Sequence, residues 1–307
     1  MQERRLIDYL FITLKGVAMG AADVVPGVSG GTIAFISGIY EELLASISAV
    51  NFKALKILKE KGVKSFWEAI NGNFLLALML GIAISVASLA KTIAFLLDEH
   101  PILLWSFFFG LVLASVLFVA RQITQWSVLN VILLLIGSFA AFYITTLTPV
   151  TSSEISPMYL FLCGALAICA MILPGISGSF ILVLLGAYRP VLDAVHERNL
   201  KSIALIGAGA IVGLLTFSRV LKWLFEHYKN ATLAVLTGFI VGSLNKIWPW
   251  KKVLDSKMFG EKLIILKEKS VFPANYEGDN LLIYACILSI LGFLLILLLE
   301  KLAKKKQ

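Results

Sequence analysis

Long apolar blocks separated by short polar breaks run through this chain. Unbroken apolar stretches fall at about 74–97, 102–120, 128–147, 203–225, 231–248 and 281–299. Each approaches the length a helix needs to cross ~30 Å of hydrocarbon, so the pattern predicts six membrane-spanning helices. Two further stretches, roughly 5–48 and 158–195, carry the same interruption. It reads Pro26-Gly27-Val28-Ser29-Gly30-Gly31 in the first and Pro174-Gly175-Ile176-Ser177-Gly178-Ser179 in the second. Proline removes a backbone donor and glycine frees the chain from helical geometry. At bilayer depth such a break persists only where it is packed in protein or lines a polar cavity. Each stretch is therefore expected to be a broken helical hairpin, formed either by two short crossings or by a re-entrant loop.

The pattern of the first half returns in the second. Displaced by 148 positions, Gly16, Ala22, Pro26, Gly27, Ser29, Gly30, Ile33, Gly38, Tyr40 and Leu44 meet the same residue types. After a shorter connection the displacement becomes 128, where Gly81 meets Gly209, Lys91 meets Arg219, Asp98 meets Glu226, Gly110 meets Gly238 and Ser115 meets Ser243. Order preserved over this length marks an internal duplication. The expected fold is an all-α polytopic membrane protein with two repeats, 1–150 and 151–307. Each repeat is one broken hairpin followed by three transmembrane helices. A hairpin contributes an even number of crossings and three spans make each half odd, so the repeats are expected to have inverted topology.

Composition agrees with a membrane location. Hydrophobic residues make up 59% of the 307 and charged residues 15%. The net charge of +8 in a soluble chain would point towards nucleic acid. Here the basic residues gather between spans and near the end, where topology and lipid headgroups account for them. Arg4, Arg5, the run Lys53 to Lys64, Arg121, Lys229 and Lys301 to Lys306 place both termini in the cytoplasm, whereas 98–101 and 148–157 hold no Lys or Arg. Residues 249–280 carry several lysines yet fall outside in this scheme; long loops translocate with less regard to charge. Arg4 and Arg5 before an apolar run mimic a signal peptide, but Lys15 and the Pro-Gly break mark this stretch as the first arm of a structural element.

The two breaks are the main candidates for chemistry. Backbone N–H groups left free where a second arm begins form an anion site, with the helix dipole behind them. Ser29, Thr32, Ser177 and Ser179 add hydroxyls, while Gly27, Gly30, Gly31, Gly175 and Gly178 allow close backbone approach. Two such loops meeting near the midplane are expected to enclose a small hydrated chamber suited to phosphate; the plainer reading is that they only permit tight helix packing. Lys91 and Arg219 lie inside apolar spans at equivalent positions, where a cation costs about 2.5–3.5 kcal/mol on insertion scales and usually faces a polar interior. They are candidate headgroup ligands, with snorkelling to the interface as the alternative. Asp23, whose counterpart is Met171, is a candidate for proton or cation coupling, or else a helix cap. Glu41 and Arg189 are placed for a pairing between repeats, with separate solvation the plainer expectation. Cys163, Cys169 and Cys286 read as core residues, and the scattered His100, His196 and His227 offer no metal site.

The stretch from Gly16 through Asp23 and Pro26 to Thr32, together with the second Pro174–Ser179 motif, resembles the PopT-type polyprenyl-phosphate transporters across nearly the whole chain. That resemblance implies a multi-pass protein of a prokaryotic cytoplasmic membrane, without cofactor, that returns undecaprenyl phosphate to the cytoplasmic leaflet. It also implies that Pro26, Gly27, Ser29, Gly30, Gly31, Thr32, Pro174, Gly175, Ser177 and Gly178 contact the headgroup. An undecaprenyl-pyrophosphate phosphatase of the duplicated, broken-helix type is the chief alternative. The arginine expected in its serine-rich loop is absent, and phosphoryl transfer needs a positioned nucleophile and strong charge stabilisation. A small-anion carrier is the remaining alternative.

Overall fold

The computed structural model describes residues 4–25, 27–149, 156–259 and 262–304. Pro26 lies outside them. The first half runs α1 (Leu6–Val24), α2 (Gly30–Ile36), α3 (Tyr40–Ser48), α4 (Phe52–Ala69), α5 (Gly72–Glu99), α6 (Pro101–Ala120) and α7 (Val128–Thr146). The second runs α8 (Pro157–Ile172), α9 (Gly178–Leu184), α10 (Tyr188–His196), α11 (Leu200–His227) and α12 (Lys229–Ser243), then strands β1 (Lys251–Phe259) and β2 (Lys262–Ser270), a 3-10 turn at Pro273–Asn275, and α13 (Leu282–Lys304).

The fold is nearly all helical. Among the described residues, α5, α6, α7 and α11 are long and apolar enough to cross a bilayer, and the pair α9–α10, bent by 107°, makes a fifth candidate. Large apolar side chains cover their outer faces: Leu80, Phe95, Leu129, Leu135, Phe139 and Ile211 are all exposed. Water does not tolerate contiguous patches of that extent, whereas lipid does.

Small residues set the helix pairing. α1 lies along α5, α8 along α11, α6 along α13 and α7 along α12. A Cβ at Gly16 would sit 2.3 Å from the Leu78 carbonyl oxygen, and one at Gly164 2.3 Å from that of Ile206. Gly81 approaches the Thr13 carbonyl in the same way and Gly209 that of Phe161. Lipid gives helices no hydrophobic reason to associate, so close backbone packing at small residues must hold them. Gly110 shows the cost of losing it, since a Cβ there would stand 1.8 Å from the Ser289 carbonyl. Gly110→Val is therefore expected to part α6 from α13 and destabilise the fold by about 1–3 kcal/mol or more. A thermal-melt series on the purified protein checks this; an unchanged midpoint would contradict the contact.

Three features depart from the sequence pattern. α4 is an additional amphipathic helix, capped by Asn51 and kinked at Gly62 (φ 81°), with Phe52 and Val63 exposed among its lysines. It has the character of an element lying in the membrane interface. The expected span 231–248 is a helix only to Ser243, beyond which Lys246 N–H donates to the Ser243 carbonyl and the chain turns. The segment that follows contains an antiparallel hairpin, with Lys251 opposite Ser270 and Lys252 opposite Lys269.

Candidate functional site

Each Pro-Gly break is built on a glycine in the left-handed region, Gly27 at φ 89° and Gly175 at φ 92°. Only glycine takes that conformation without strain. It ends α1 and α8, and the following serine starts the next short helix. Ser29 Oγ accepts from Gly31 N–H at 3.0 Å to cap α2, and Ser177 Oγ accepts from Phe180 N–H at 3.2 Å to cap α9. A second pair of glycines, Gly38 (φ 72°) and Gly186 (φ 66°), turns α2 into α3 and α9 into α10.

The two breaks touch. Gly27 N–H donates to Ser177 Oγ at 3.0 Å, and Gly175 N–H donates to Thr32 Oγ1 at 3.0 Å. Ser29 Oγ lies 2.8 Å from the Met171 carbonyl and 3.1 Å from that of Leu173, and the Tyr40 hydroxyl donates to the Ile172 carbonyl. Ser179 Oγ is 3.3 Å from Ser177 Oγ. Ser29 and Thr32 are fully buried, and Gly30, Gly31, Pro174, Gly175, Ser177 and Gly178 are buried with them. Each loop thus accepts a hydrogen bond from one glycine N–H of the other.

Among the described residues, the two loops expected to enclose a hydrated chamber are hydrogen-bonded to each other. Gly27 N–H, Gly175 N–H and the Ser29 hydroxyl are engaged across the crossing, whereas Gly30 N–H, Gly31 N–H and Ser179 Oγ find partners within their own arm, as buried polar groups must. Two shallow, open clefts lie elsewhere. One, of about 370 Å³, lies between α3 and α11 and is lined by Glu41, Glu42, Lys222 and Glu226. The other is an apolar groove of about 170 Å³ between α6 and α13.

Asp23 joins the first break, and the other candidates have partners or surroundings of their own. Asp23 Oδ1 accepts from Gly30 N–H at 2.7 Å, so this carboxylate rests at the start of α2. Lys91 is exposed on α5. Arg219 is exposed on α11 and donates to the Val50 carbonyl at 3.0 Å. Glu41 pairs with Lys229 at 2.6 Å and Arg189 with Asp193 at 3.0 Å, in place of the Glu41–Arg189 contact.

Among the described residues, Lys246 places a cation beside the crossing. Its stem packs on Gly27, where a Cβ would lie 2.9 Å from Lys246 Cγ, and its ammonium sits 4.9 Å from the centre of the Phe180 ring on α9. Nζ is 2.7 Å from Glu268 Oε1, which Lys251 Nζ also meets at 2.7 Å. Sequence symmetry hid this residue, since its counterpart at a displacement of 128 is Phe118. Its one signal was an isolated lysine within an expected span.

Burial drives the Lys251 ammonium down to about 8, against the pull of Glu268. Burial works to raise Glu268, but the two lysines overcome it and hold the carboxyl below its ordinary value of 4.5. A depressed carboxyl stabilises the fold above its unfolded value and loses that contribution as pH falls through its folded one. The depressed Lys251 acts in the same direction, its penalty lifting as pH rises from about 8 towards 10.5. Docking of the hairpin is thus expected to hold at neutral pH and to loosen in acid, as the pH falls from the ordinary carboxyl value of 4.5 through the lowered one of Glu268. Hydrogen exchange at Val271 N–H, which donates to the Trp250 carbonyl, reports it. Protection unchanged down to acid would refute the role of Glu268.

Comparisons with known proteins converge. Residues 19–262 match the family VCA0040-like, described as undecaprenyl phosphate translocase-like. A polyprenyl-phosphate transporter of Vibrio cholerae is 46% identical over 309 residues, covering 98% of this chain and 99% of that protein. One of Staphylococcus aureus is 34% identical over 256 residues, covering 77% of this chain and 85% of its own length. No solved structure matches.

Proposed function

Because the chain belongs to the VCA0040-like, undecaprenyl phosphate translocase-like family, we propose that it carries undecaprenyl phosphate or a similar polyprenyl phosphate across the cytoplasmic membrane. Carrier lipid released during envelope synthesis then returns to the cytoplasmic leaflet. The observation that carries this reading is the crossing of the two breaks, reinforced by Lys246, which packs on Gly27 of the first break and over Phe180 just after the second. No covalent step is required. The protein's task is to move a charged headgroup through an apolar layer while its tail stays in lipid.

Exchange of partners at the crossing does this. In the closed state Gly27 N–H and Gly175 N–H are held by Ser177 and Thr32 of the opposing loop. An entering phosphate takes those donors for its own oxygens, and the loops part. The left-handed glycines keep the N–H groups pointed at the crossing throughout. The energetic demand is small because each lost protein bond is replaced by a charge-assisted one.

Burial supports a state open on one side. Every residue of α2 is buried, whereas in α9 only Gly178 is. α3 lies along α11, while α10 packs on α9 and α11. With inverted repeats and both termini cytoplasmic, the α2–α3 side is shut towards the cytoplasm and the α9–α10 side faces the outer leaflet. Rocking exchanges these environments. Inversion also sends equivalent positions to opposite ends of the path, so Lys91 serves the outer mouth and Arg219 the inner one. Asp23, bonded to Gly30, is placed to couple loop opening to proton or cation uptake.

Reconstitution in vesicles with polyprenyl phosphate and a leaflet-sensitive headgroup assay tests the proposal. Headgroup exchange is expected only where the protein is present. Release of inorganic phosphate would favour a phosphatase, and uptake of soluble anions regardless of lipid phosphate would favour a small-anion carrier.

A further inference from the structure

Beside the crossing, two lysines share one carboxylate. Lys246 and Lys251 each meet Glu268 Oε1 at 2.7 Å, and their side chains are only 21% and 12% exposed. Two ammonium groups share one carboxylate, so the trio carries an excess of positive charge at low exposure even though Lys251 Nζ also donates to the Lys246 carbonyl, and such an excess is costly. The surroundings add cation–π contacts, Lys246 over Phe180 and Lys251 over Trp105 at 5.3 Å from the ring centre. A phosphate monoester carries close to two negative charges at neutral pH, so it matches the lysine pair better than a single carboxylate does.

An apolar track starts at the same place. Trp105 and Phe109 stand four residues apart on α6 and so share a face. Phe109 meets Trp248 edge-on at 5.3 Å between ring centres, and it lines the groove between α6 and α13 with Leu113, Ile290, Phe293 and Leu294. Cations at one end and a lipid-facing hydrocarbon groove leading away from them fit an amphiphile with a phosphate head.

We propose that Lys246 and Lys251 form the outer seat for the phosphate of a prenyl phosphate, with the first isoprene units lying in the α6–α13 groove. Glu268 occupies the seat in its absence. This rests on the transport reading above and adds to it the point at which the lipid is captured. Glu268 comes from β2, so the hairpin segment supplies a built-in competitor that the lipid displaces before its headgroup reaches the crossing beside Gly27. The lysine pair has no counterpart in the first repeat, where the equivalent positions hold Phe118 and Ile123, so the charged end of the seat belongs to one face only.

The test uses the full-length protein in nanodiscs, with farnesyl phosphate, farnesol and inorganic phosphate as probes. Farnesyl phosphate is expected to bind in preference to the other two. Lys246→Met with Lys251→Met should weaken it by at least about tenfold, since two charge-assisted bonds are lost. Glu268→Gln should tighten it by about three- to tenfold, because more of the protein then presents an empty seat. Lys246→Arg with Lys251→Arg keeps the charges and should retain binding, which separates loss of ligand contacts from loss of fold. Filling the groove with Leu113→Trp should weaken farnesyl phosphate and leave inorganic phosphate unchanged. If the double-methionine protein binds farnesyl phosphate as the unaltered one does, or if Glu268→Gln weakens it, the seat is overturned while transport stands. Equal binding of inorganic phosphate would overturn the amphiphile assignment. If the unaltered protein fails to distinguish farnesyl phosphate from farnesol, the transport reading falls and the seat falls with it.

Discussion

Gly31→Val is expected to abolish headgroup exchange. A Cβ at Gly31 would lie 2.4 Å from the Ile172 carbonyl oxygen and 3.0 Å from that of Met171. Both obstacles are backbone, so neither yields as a flexible side chain would. The branched side chain must drive α2 from the end of α8, where Ser29 meets the Met171 and Leu173 carbonyls and Tyr40 meets that of Ile172. Overpacking of this kind costs about 1–3 kcal/mol, occasionally more. That is a modest share of a whole protein's stability but a large one for a contact formed and broken in every transport cycle. Gly207→Val provides the comparison, since a Cβ there meets nothing within 4 Å. Exchange in vesicles should be lost for Gly31→Val and kept for Gly207→Val, with both proteins monodisperse after purification. Wild-type exchange by Gly31→Val would remove the crossing from the mechanism.

What the sequence disclosed divides along physical lines. The helix boundaries at Gly72, Pro101, Val128 and Leu200 follow from apolar length, a property of the local chain. The breaks were equally legible, because proline and glycine announce their backbone consequences wherever they stand. That Gly27 N–H would find Ser177, 150 positions away, was implied by the duplication but not fixed by it. The seat around Lys246 was hidden for the opposite reason. Repetition singles out Lys91 and Arg219, which match each other, and not a lysine whose counterpart is Phe118. The β-hairpin was obscured by its lysines and glutamates, which read as a solvated loop although Leu263-Ile264-Ile265-Leu266 carries strand character. Nor does apolar pattern report conformation. The same residues describe an open chamber or a closed crossing, and only the three-dimensional arrangement shows the loops engaged with each other.

Removing both capping hydroxyls, Ser29→Ala with Ser177→Ala, carries the second large expected effect. Ser177 Oγ accepts from Gly27 N–H across the crossing and from Phe180 N–H at the start of α9, and Ser29 Oγ accepts from Gly31 N–H at the start of α2. The double change strands three donors and strips the caps from two short helices. Each lost cap costs about 0.5–2 kcal/mol, and each buried donor left unpaired about 1–3 kcal/mol. These overlap, so a net loss of about 2–4 kcal/mol is expected in the closed conformation. If the hydroxyls served only as a latch, opening would become easier and exchange would rise. If they also receive the headgroup, the parted loops lack two of its partners, and exchange should fall by at least about tenfold despite the weaker latch. The fall is the expected outcome, accompanied by weaker retention of farnesyl phosphate. Glycine at position 29, which at a cap costs only a few tenths of a kcal/mol relative to serine, separates the two roles. It relieves the cap without restoring the hydroxyl, so Ser29→Gly should recover thermal stability while transport stays low. Recovery of both together would leave the serines as caps alone.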